Sequence, residues 1–189
     1  MRGRRHLFIA PVLCVLSLAC GACWRAPAPL PELRTAPRVD LRRYTGTWFE
    51  IASFPTWFQR GCYATRATYT LRADGDIDVR NECRQGALDG PPTVATGTAW
   101  VVDKTTNAKL EVQFFWPFRG DYWILEVDPN YQYAVVGHPS REYLWVLARR
   151  PSMDAATYER LVAGLAAQGY KVDRLQKTVQ ESEAASAAH

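Results

Sequence analysis

The hydrophobic positions of this chain recur mostly with a period of two. In Thr65–Leu71, Ala67, Tyr69 and Leu71 alternate with Thr68 and Thr70, and after Asp74-Gly75, Ile77, Val79 and Asn81 alternate with Asp76, Asp78 and Arg80. Asp-Gly between two alternating runs predicts a two-residue hairpin. Gly97–Asp103 is a further run, and Leu110, Val112, Phe114 and Trp116 then alternate with Glu111 and Gln113. Tyr122–Val127, Tyr131–Val136 and Glu142–Arg149 follow, separated by Asp128-Pro129-Asn130 and Gly137-His138-Pro139-Ser140. With Thr45–Phe54 at the start, the pattern predicts eight strands, each joined to the next by a turn. Such a meander can close on itself and remove its edges. The period then changes. Met153–Gln168 puts Tyr158, Leu161, Val162 and Leu165 on one stripe, with Ser152 placed to cap the start and Gly169 to stop the end. One amphipathic helix after the last strand must lie outside the barrel, covering one wall. The expected fold is all-β: an eight-stranded antiparallel up-and-down barrel with one C-terminal α-helix packed outside.

The N-terminus alters what the charge means. The chain has 189 residues and a formal net charge of +4. Arg2, Arg4 and Arg5 precede an apolar stretch of 13 residues, Leu7–Ala19. That is the size of a signal-peptide core and too short to span a bilayer. Three of the 23 basic residues lie in this segment and none of the 19 acidic ones, so the remainder is close to neutral. It has no basic run, which argues against nucleic acid as a partner. Residues 1–19 therefore read as a signal peptide. Residues 20–38 carry Pro27, Pro29, Pro31 and Pro37 and read as an extended spacer that cannot pack well. Residues 39–179 form the domain, and the small polar residues 180–189 are expected to be disordered.

Export places the cysteines in an oxidising compartment. Cys14 leaves with the signal peptide; Cys62 and Cys83 bracket a hairpin and are expected to form a disulfide. No neighbouring histidine would activate either as a catalytic thiol. His138 and His189 are the only histidines left after the signal peptide, too few for a Cys/His zinc site. No metal and no cofactor is expected.

Ser17-Leu18-Ala19-Cys20 resembles a bacterial lipobox, with Ser17 where Leu or Val is usual. Cys20 is the expected lipidation site and Cys23 the alternative; ordinary cleavage would leave a soluble periplasmic protein. Gly21 follows Cys20, and nothing resembles an inner-membrane retention signal. Arg43-Tyr44-Thr45-Gly46-Thr47-Trp48-Phe49-Glu50-Ile51-Ala52 carries the G-x-W motif of the lipocalins in an extended form. Phe114-Phe115-Trp116-Pro117-Phe118, Asp128-Pro129-Asn130-Tyr131 and Tyr143–Pro151 resemble segments of the bacterial lipocalins, which are similar to apolipoprotein D, in the same order. The second family motif, T-D-x, is altered to Val127-Asp128-Pro129.

The resemblance implies a barrel closed at one end by Trp48, with Arg149 lying over it and Gly46 allowing the turn beside it. All three are expected to be structural. If Trp48 points inward, strand parity sends Glu50, Ala52 and Phe54 inward as well. The other inward sets are then Ala67, Tyr69, Leu71; Ile77, Val79; Val112, Phe114, Trp116; and Tyr143, Trp145, Leu147. Glu50 would be costly alone, so Arg149 or a tyrosine hydroxyl is expected to satisfy it. An eight-stranded barrel has room for one small ligand. The expected ligand-contacting residues are Phe54, Tyr69, Phe114, Trp116 and Trp145 inside, with Trp57, Phe58 and Arg60 on the loop at the open mouth.

The implied function is binding of a fatty acid or lysophospholipid by an outer-membrane lipoprotein facing the periplasm, for lipid storage or transport in envelope maintenance. The resemblance does not imply catalysis. The alternatives are an enzyme acting on a lipophilic substrate, or a scavenger of haem, pigment or a toxin, for which His138 is the one available haem ligand. The sequence leaves open whether the protein is a monomer or a dimer.

Overall fold

The computed structural model describes residues Leu30–Glu181; the expected signal peptide, Cys20, Cys23 and residues 182–189 lie outside the described residues. A short helix, α1 (Leu41–Tyr44), precedes eight strands: β1 (Gly46–Ser53), β2 (Cys62–Leu71), β3 (Ile77–Gln85), β4 (Pro92–Val101), β5 (Lys109–Phe115), β6 (Phe118–Val127), β7 (Tyr133–Gly137) and β8 (Leu144–Ala148). Helix α2 (Ala155–Ala167) and a short strand β9 (Gln176–Lys177) follow. All pairings are antiparallel; the sheet runs from β2 through β8 to β1 and β9, and β1 also pairs with β2, which closes the barrel.

Several local expectations are corrected. The Asp74-Gly75 hairpin is not a two-residue turn. Residues 72–76 form the connection: the Arg72 N–H donates to the Asp76 carbonyl (2.8 Å), Asp74 accepts from the Asp76 N–H, and Gly75 takes a left-handed φ of +94°. Helix α2 is capped by Asp154, not Ser152; its carboxylate accepts from the Thr157 N–H at 2.8 Å, and the helix starts two residues later than expected. The proline-containing stretch also packs where it was expected not to. Leu33 is buried against the helix side of the barrel and Ala36 under its floor, with the Ala36 N–H donating to the Ile124 carbonyl at 2.9 Å. An extended segment without its own hydrogen bonds can still add backbone bonds to a neighbour. Gln180, expected in a disordered tail, donates to the carbonyls of Glu50 and Thr65.

Two cores share the barrel wall. Trp48, Tyr69, Ile77, Val79, Leu110, Ile124, Val136 and Leu147 fill the lower barrel. Ile51, Ala52, Phe54, Leu125, Val135, Leu144 and Val146 face outward and are covered by Leu161 and Leu165 of α2 and by Tyr170. The division corrects the parity of β1. A bulge between Glu50 and Ala52 inserts one residue into the alternation. Glu50 stays inside, while Ala52 and Phe54 turn out beneath the helix. Phe54 is fully buried there, edge-on to Tyr170 and under the Arg174 guanidinium, and is not a calyx residue.

The closed end is built around Arg149. Its guanidinium lies 3.7 Å from the Trp48 ring centroid and donates to the carbonyls of Arg43, Tyr44, Thr45, Thr47 and Tyr131. Five carbonyls from the α1–β1 corner and the β6–β7 turn converge on one planar, five-donor group. The Trp48 indole N–H donates to the Tyr44 carbonyl at 2.8 Å. Gly46 has φ +92°, and a Cβ there would stand 3.3 Å from the Arg149 Nη1, so this corner demands glycine.

Candidate functional site: the calyx and its mouth

Strands β2 to β5 send Ala67, Tyr69, Ile77, Val79, Val112 and Phe114 inward, as the alternation implies. Near the floor these side chains are buried. Higher up, Ala67, Val112, Phe114 and Trp145 pack on the same core but are only half-buried although they face the barrel interior. A filled barrel would bury all of them; half-burial of inward side chains marks open space.

Three tyrosines add polarity to the lower layer. The Tyr44 and Tyr122 hydroxyls are 2.8 Å apart, and Tyr122 donates to Tyr69 at 3.0 Å. Each hydroxyl has one proton, so Tyr44 must donate to Tyr122 and the Tyr69 proton is left for another acceptor. Burial raises the pKa of all three, Tyr69 to about 12, so they are neutral phenols at any physiological pH.

Above them stands Glu50, only 5% exposed. Neither Arg149 nor a tyrosine satisfies it, contrary to expectation. Its carboxylate accepts from the Ser53 hydroxyl (3.0 Å), the Gln59 amide (2.7 Å) and the Thr178 hydroxyl. The Gln59 oxygen in turn accepts from the Trp145 indole N–H at 3.0 Å. Gln59 ends a single 3₁₀ turn, Trp57–Gln59, in the β1–β2 loop. That turn delivers Gln59 to the calyx and leaves Trp57 and Phe58 outside, 76% and 51% exposed. The sequence carries no signal for Gln59, because a polar loop residue that folds inward looks like any other. Tyr44 and Tyr122 were equally unannounced, although the alternation of β6 contains Tyr122.

Aromatic rings connect the rim to the interior. Trp57 meets Phe58 edge-on at 5.6 Å, Phe58 stacks on Tyr143 at 6.3 Å, and Tyr143 stacks on Trp145 at 6.1 Å. Tyr143 precedes β8 and belongs to the rim, not to the inner wall where parity had put it. Arg60 is exposed beside this series. The β5–β6 hairpin supplies a second apolar edge, with Phe115, Trp116 and Phe118 each more than 70% exposed. Trp116 was expected inside. A bulge between Val112 and Phe115 ends the alternation, and Trp116 lies on the hairpin tip beyond β5.

His138 lies in the β7–β8 loop with both ring nitrogens engaged: Nδ1 with Ser140 and Nε2 3.5 Å from Asp121. Among the described residues no group of three His, Cys, Asp or Glu side chains could hold a metal ion. A groove along β2–β5 is lined by Thr68, Thr70, Asp78, Arg80, Thr96 and Thr98, with Val79, Phe114 and Trp116 also bordering it. Parity puts the threonines, Asp78 and Arg80 opposite the calyx. Cys62 and Cys83 form the expected disulfide between β2 and β3, close to the mouth.

The family model of the lipocalin-like domain matches residues 39–180. The chain belongs to the lipocalin family. It is 42% identical over 158 residues to temperature-induced lipocalin-1 of Arabidopsis thaliana, covering 79% of this chain and 83% of the relative. It is 34% identical over 168 residues to the outer membrane lipoprotein Blc of Escherichia coli K12, covering 89% and 92%. The solved structure of insecticyanin from the tobacco hornworm Manduca sexta superposes with a TM-score of 0.64 at 21% identity, covering 85% of this chain and 90% of that one, which bears on the fold alone. In this lipocalin the altered second motif keeps its aspartate in use: Asp128 accepts from the N–H groups of Asn130 and Gln132 and shapes the β6–β7 turn without the usual threonine.

Proposed function

We propose that this lipocalin binds a single-chain lipid, of the fatty-acid or lysophospholipid type, non-covalently in its calyx. In this reading it is held at the outer membrane, facing the periplasm, through a lipid on Cys20 or, failing that, Cys23. Storage or transfer of membrane-derived lipid for envelope maintenance is the corresponding role. The observation that carries the reading is the half-burial of Ala67, Val112, Phe114 and Trp145 on an inward, apolar surface. Trp57, Phe58, Phe115, Trp116 and Phe118 at the mouth support it, since exposed aromatics on two loops suit contact with lipid or a bilayer surface. The kinship with an outer membrane lipoprotein supports the location. Each methylene moved out of water contributes about 0.8 kcal/mol, enough over one acyl chain for binding near about micromolar.

A titration with a single-chain lipid brominated along its acyl chain tests this. Bromine quenches tryptophan on contact, and Trp145 is the half-buried indole of the calyx wall, whereas Trp48 is fully buried at the floor. Saturable quenching is expected in the wild type and most of it is expected to vanish in Trp145→Phe. No quenching, or equal quenching in both, would remove the calyx as the binding site.

A further inference from the structure

The N-terminal segment joins the domain at the mouth of the barrel. The Arg141 guanidinium, on the β7–β8 loop, donates to the Pro31 carbonyl and to the Gln168 carbonyl just past α2. The Gln168 side-chain oxygen accepts from the Arg34 N–H at 3.0 Å, and Leu30 and Pro31 lie over Gly169, where a Cβ would stand 3.1 Å from the Leu30 side chain. Successive antiparallel strands turn at alternate ends, so the β7–β8 loop shares the open end with the β1–β2 and β5–β6 connections. From this clasp the chain runs down the wall. Leu33 packs on the α2 side, the Ala36 N–H reaches the Ile124 carbonyl, and the Val39 N–H donates to the Thr106 carbonyl in a floor loop at 2.7 Å. Whatever precedes Leu30 therefore departs from the rim.

The exposed apolar surface has the same polarity along the barrel axis. Trp57, Phe58, Phe115, Trp116 and Phe118 are the exposed Trp, Tyr and Phe side chains among the described residues, and all five belong to the β1–β2 loop or the β5–β6 hairpin tip. These two connections are four strands apart in the ring of eight. The floor turns are built instead on Asp40, Asp74, Asp103 and Asp128, each of which accepts from backbone N–H groups. Among the described residues, the floor loops expose one large apolar side chain, Val102.

The length of the tether decides which end can meet a membrane. Cys20 is ten residues before Leu30 and Cys23 seven. A fully extended chain covers ~3.5 Å per residue, so a lipid on Cys20 or Cys23 lies within about 35 Å or about 25 Å of the rim. Ten-residue strands such as β2 and β4, rising ~3.3 Å per residue at a tilt of ~40°, make a wall about 25 Å high. Placing the floor on the bilayer would force the tether to double back along that whole wall. Placing the mouth there needs no detour, and it puts the aromatic rings at the membrane–water interface, which Trp favours.

We propose that the mouth of the barrel docks on the phospholipid bilayer that anchors the protein, with the aromatic rings of both loops entering the head-group region. The calyx then opens onto the leaflet, and a single-chain lipid passes between the two without crossing bulk water. This rests on the anchored-lipoprotein reading above and adds which end of the barrel meets the membrane.

The test reads the two exposed indoles of the rim. The mature lipoprotein is reconstituted into vesicles of phosphatidylethanolamine and phosphatidylglycerol that carry a diacyl phospholipid brominated near the head-group end of its chains. Trp57 and Trp116 are 76% and 85% exposed, so replacing both by tyrosine spares the fold. Bromine is expected to quench the wild type, and a large share of the quenched emission is expected to be missing from the Trp57→Tyr, Trp116→Tyr double variant. Trp24, close to the anchor in sequence, contributes equally to both proteins, so the difference between them belongs to the rim. Equal loss of emission in the two proteins would overturn mouth-first docking and leave the anchor and the calyx reading standing. If the wild type does not sediment with the vesicles, the anchored reading falls, and this inference with it.

Discussion

Trp48→Ala is expected to destabilise the protein by about 3–5 kcal/mol, the range for removing a fully buried large aromatic side chain. The ring is completely buried. Tyr44 packs on it at 5.2 Å between centroids, the Arg149 guanidinium lies 3.7 Å from its centroid, and its indole N–H holds the Tyr44 carbonyl. Alanine leaves a void that these neighbours cannot fill, because Arg149 is fixed by five carbonyls. It also strips a cationic group of its aromatic partner, a contact worth about 0.5–2 kcal/mol. For a domain of this size each kcal/mol moves the melting temperature by roughly 2–4 °C, so a fall of about 10 °C is expected in a thermal melt followed by circular dichroism. A melting temperature within a degree or two of the wild type would show that the closed end does not depend on this ring.

Ala67→Phe is expected to weaken lipid binding by about a hundredfold or more while leaving the melting temperature within a few degrees. Ala67 is on the inner face of β2, opposite Asn81 on β3 and Trp48 on β1, and it is half-buried. The space in front of it is where an acyl chain would lie. A phenyl group placed there displaces three or four methylenes of ligand, each worth about 0.8 kcal/mol, which sums to the free energy of a hundredfold change. The half-open wall has room for the ring, so folding is spared, unlike a substitution at Trp48. Fluorescence competition measures the affinity and a melt checks the fold. Unchanged affinity would mean that the ligand lies elsewhere.

How much of this was legible in the chain depends on where the alternation is regular. Strands β2 to β5 keep strict parity over most of their length, and Tyr69, Ile77, Val79, Val112 and Phe114 could be placed inside from the residue pattern alone. The Cys62–Cys83 pair was legible for the same reason, since both cysteines border one hairpin. Parity failed at two bulges. One inserted residue in β1 sends Ala52 and Phe54 under α2, and another in β5 leaves Trp116 on the hairpin tip. Bulges have no reliable local signature in a single sequence, because the extra residue is chosen by the partner strand.

The polar interior was less legible still. Glu50 could be placed inside, but its partners come from a 3₁₀ turn and from a C-terminal segment 128 residues away. Such long-range convergence has no period to betray it. Leu33 and Ala36 show the converse: prolines point to an extended segment, but extension says nothing about what that segment lies against. The apolar calyx was therefore readable from the chain, whereas the hydrogen-bond network around Glu50 emerged only with the fold.

Native mass spectrometry of the mature protein after exposure to an equimolar single-chain lipid of the fatty-acid or lysophospholipid type tests the central claim most directly. The account predicts one lipid retained per protein chain in the wild type and the bare protein mass in Ala67→Phe. A wild type that shows only the bare mass would contradict it.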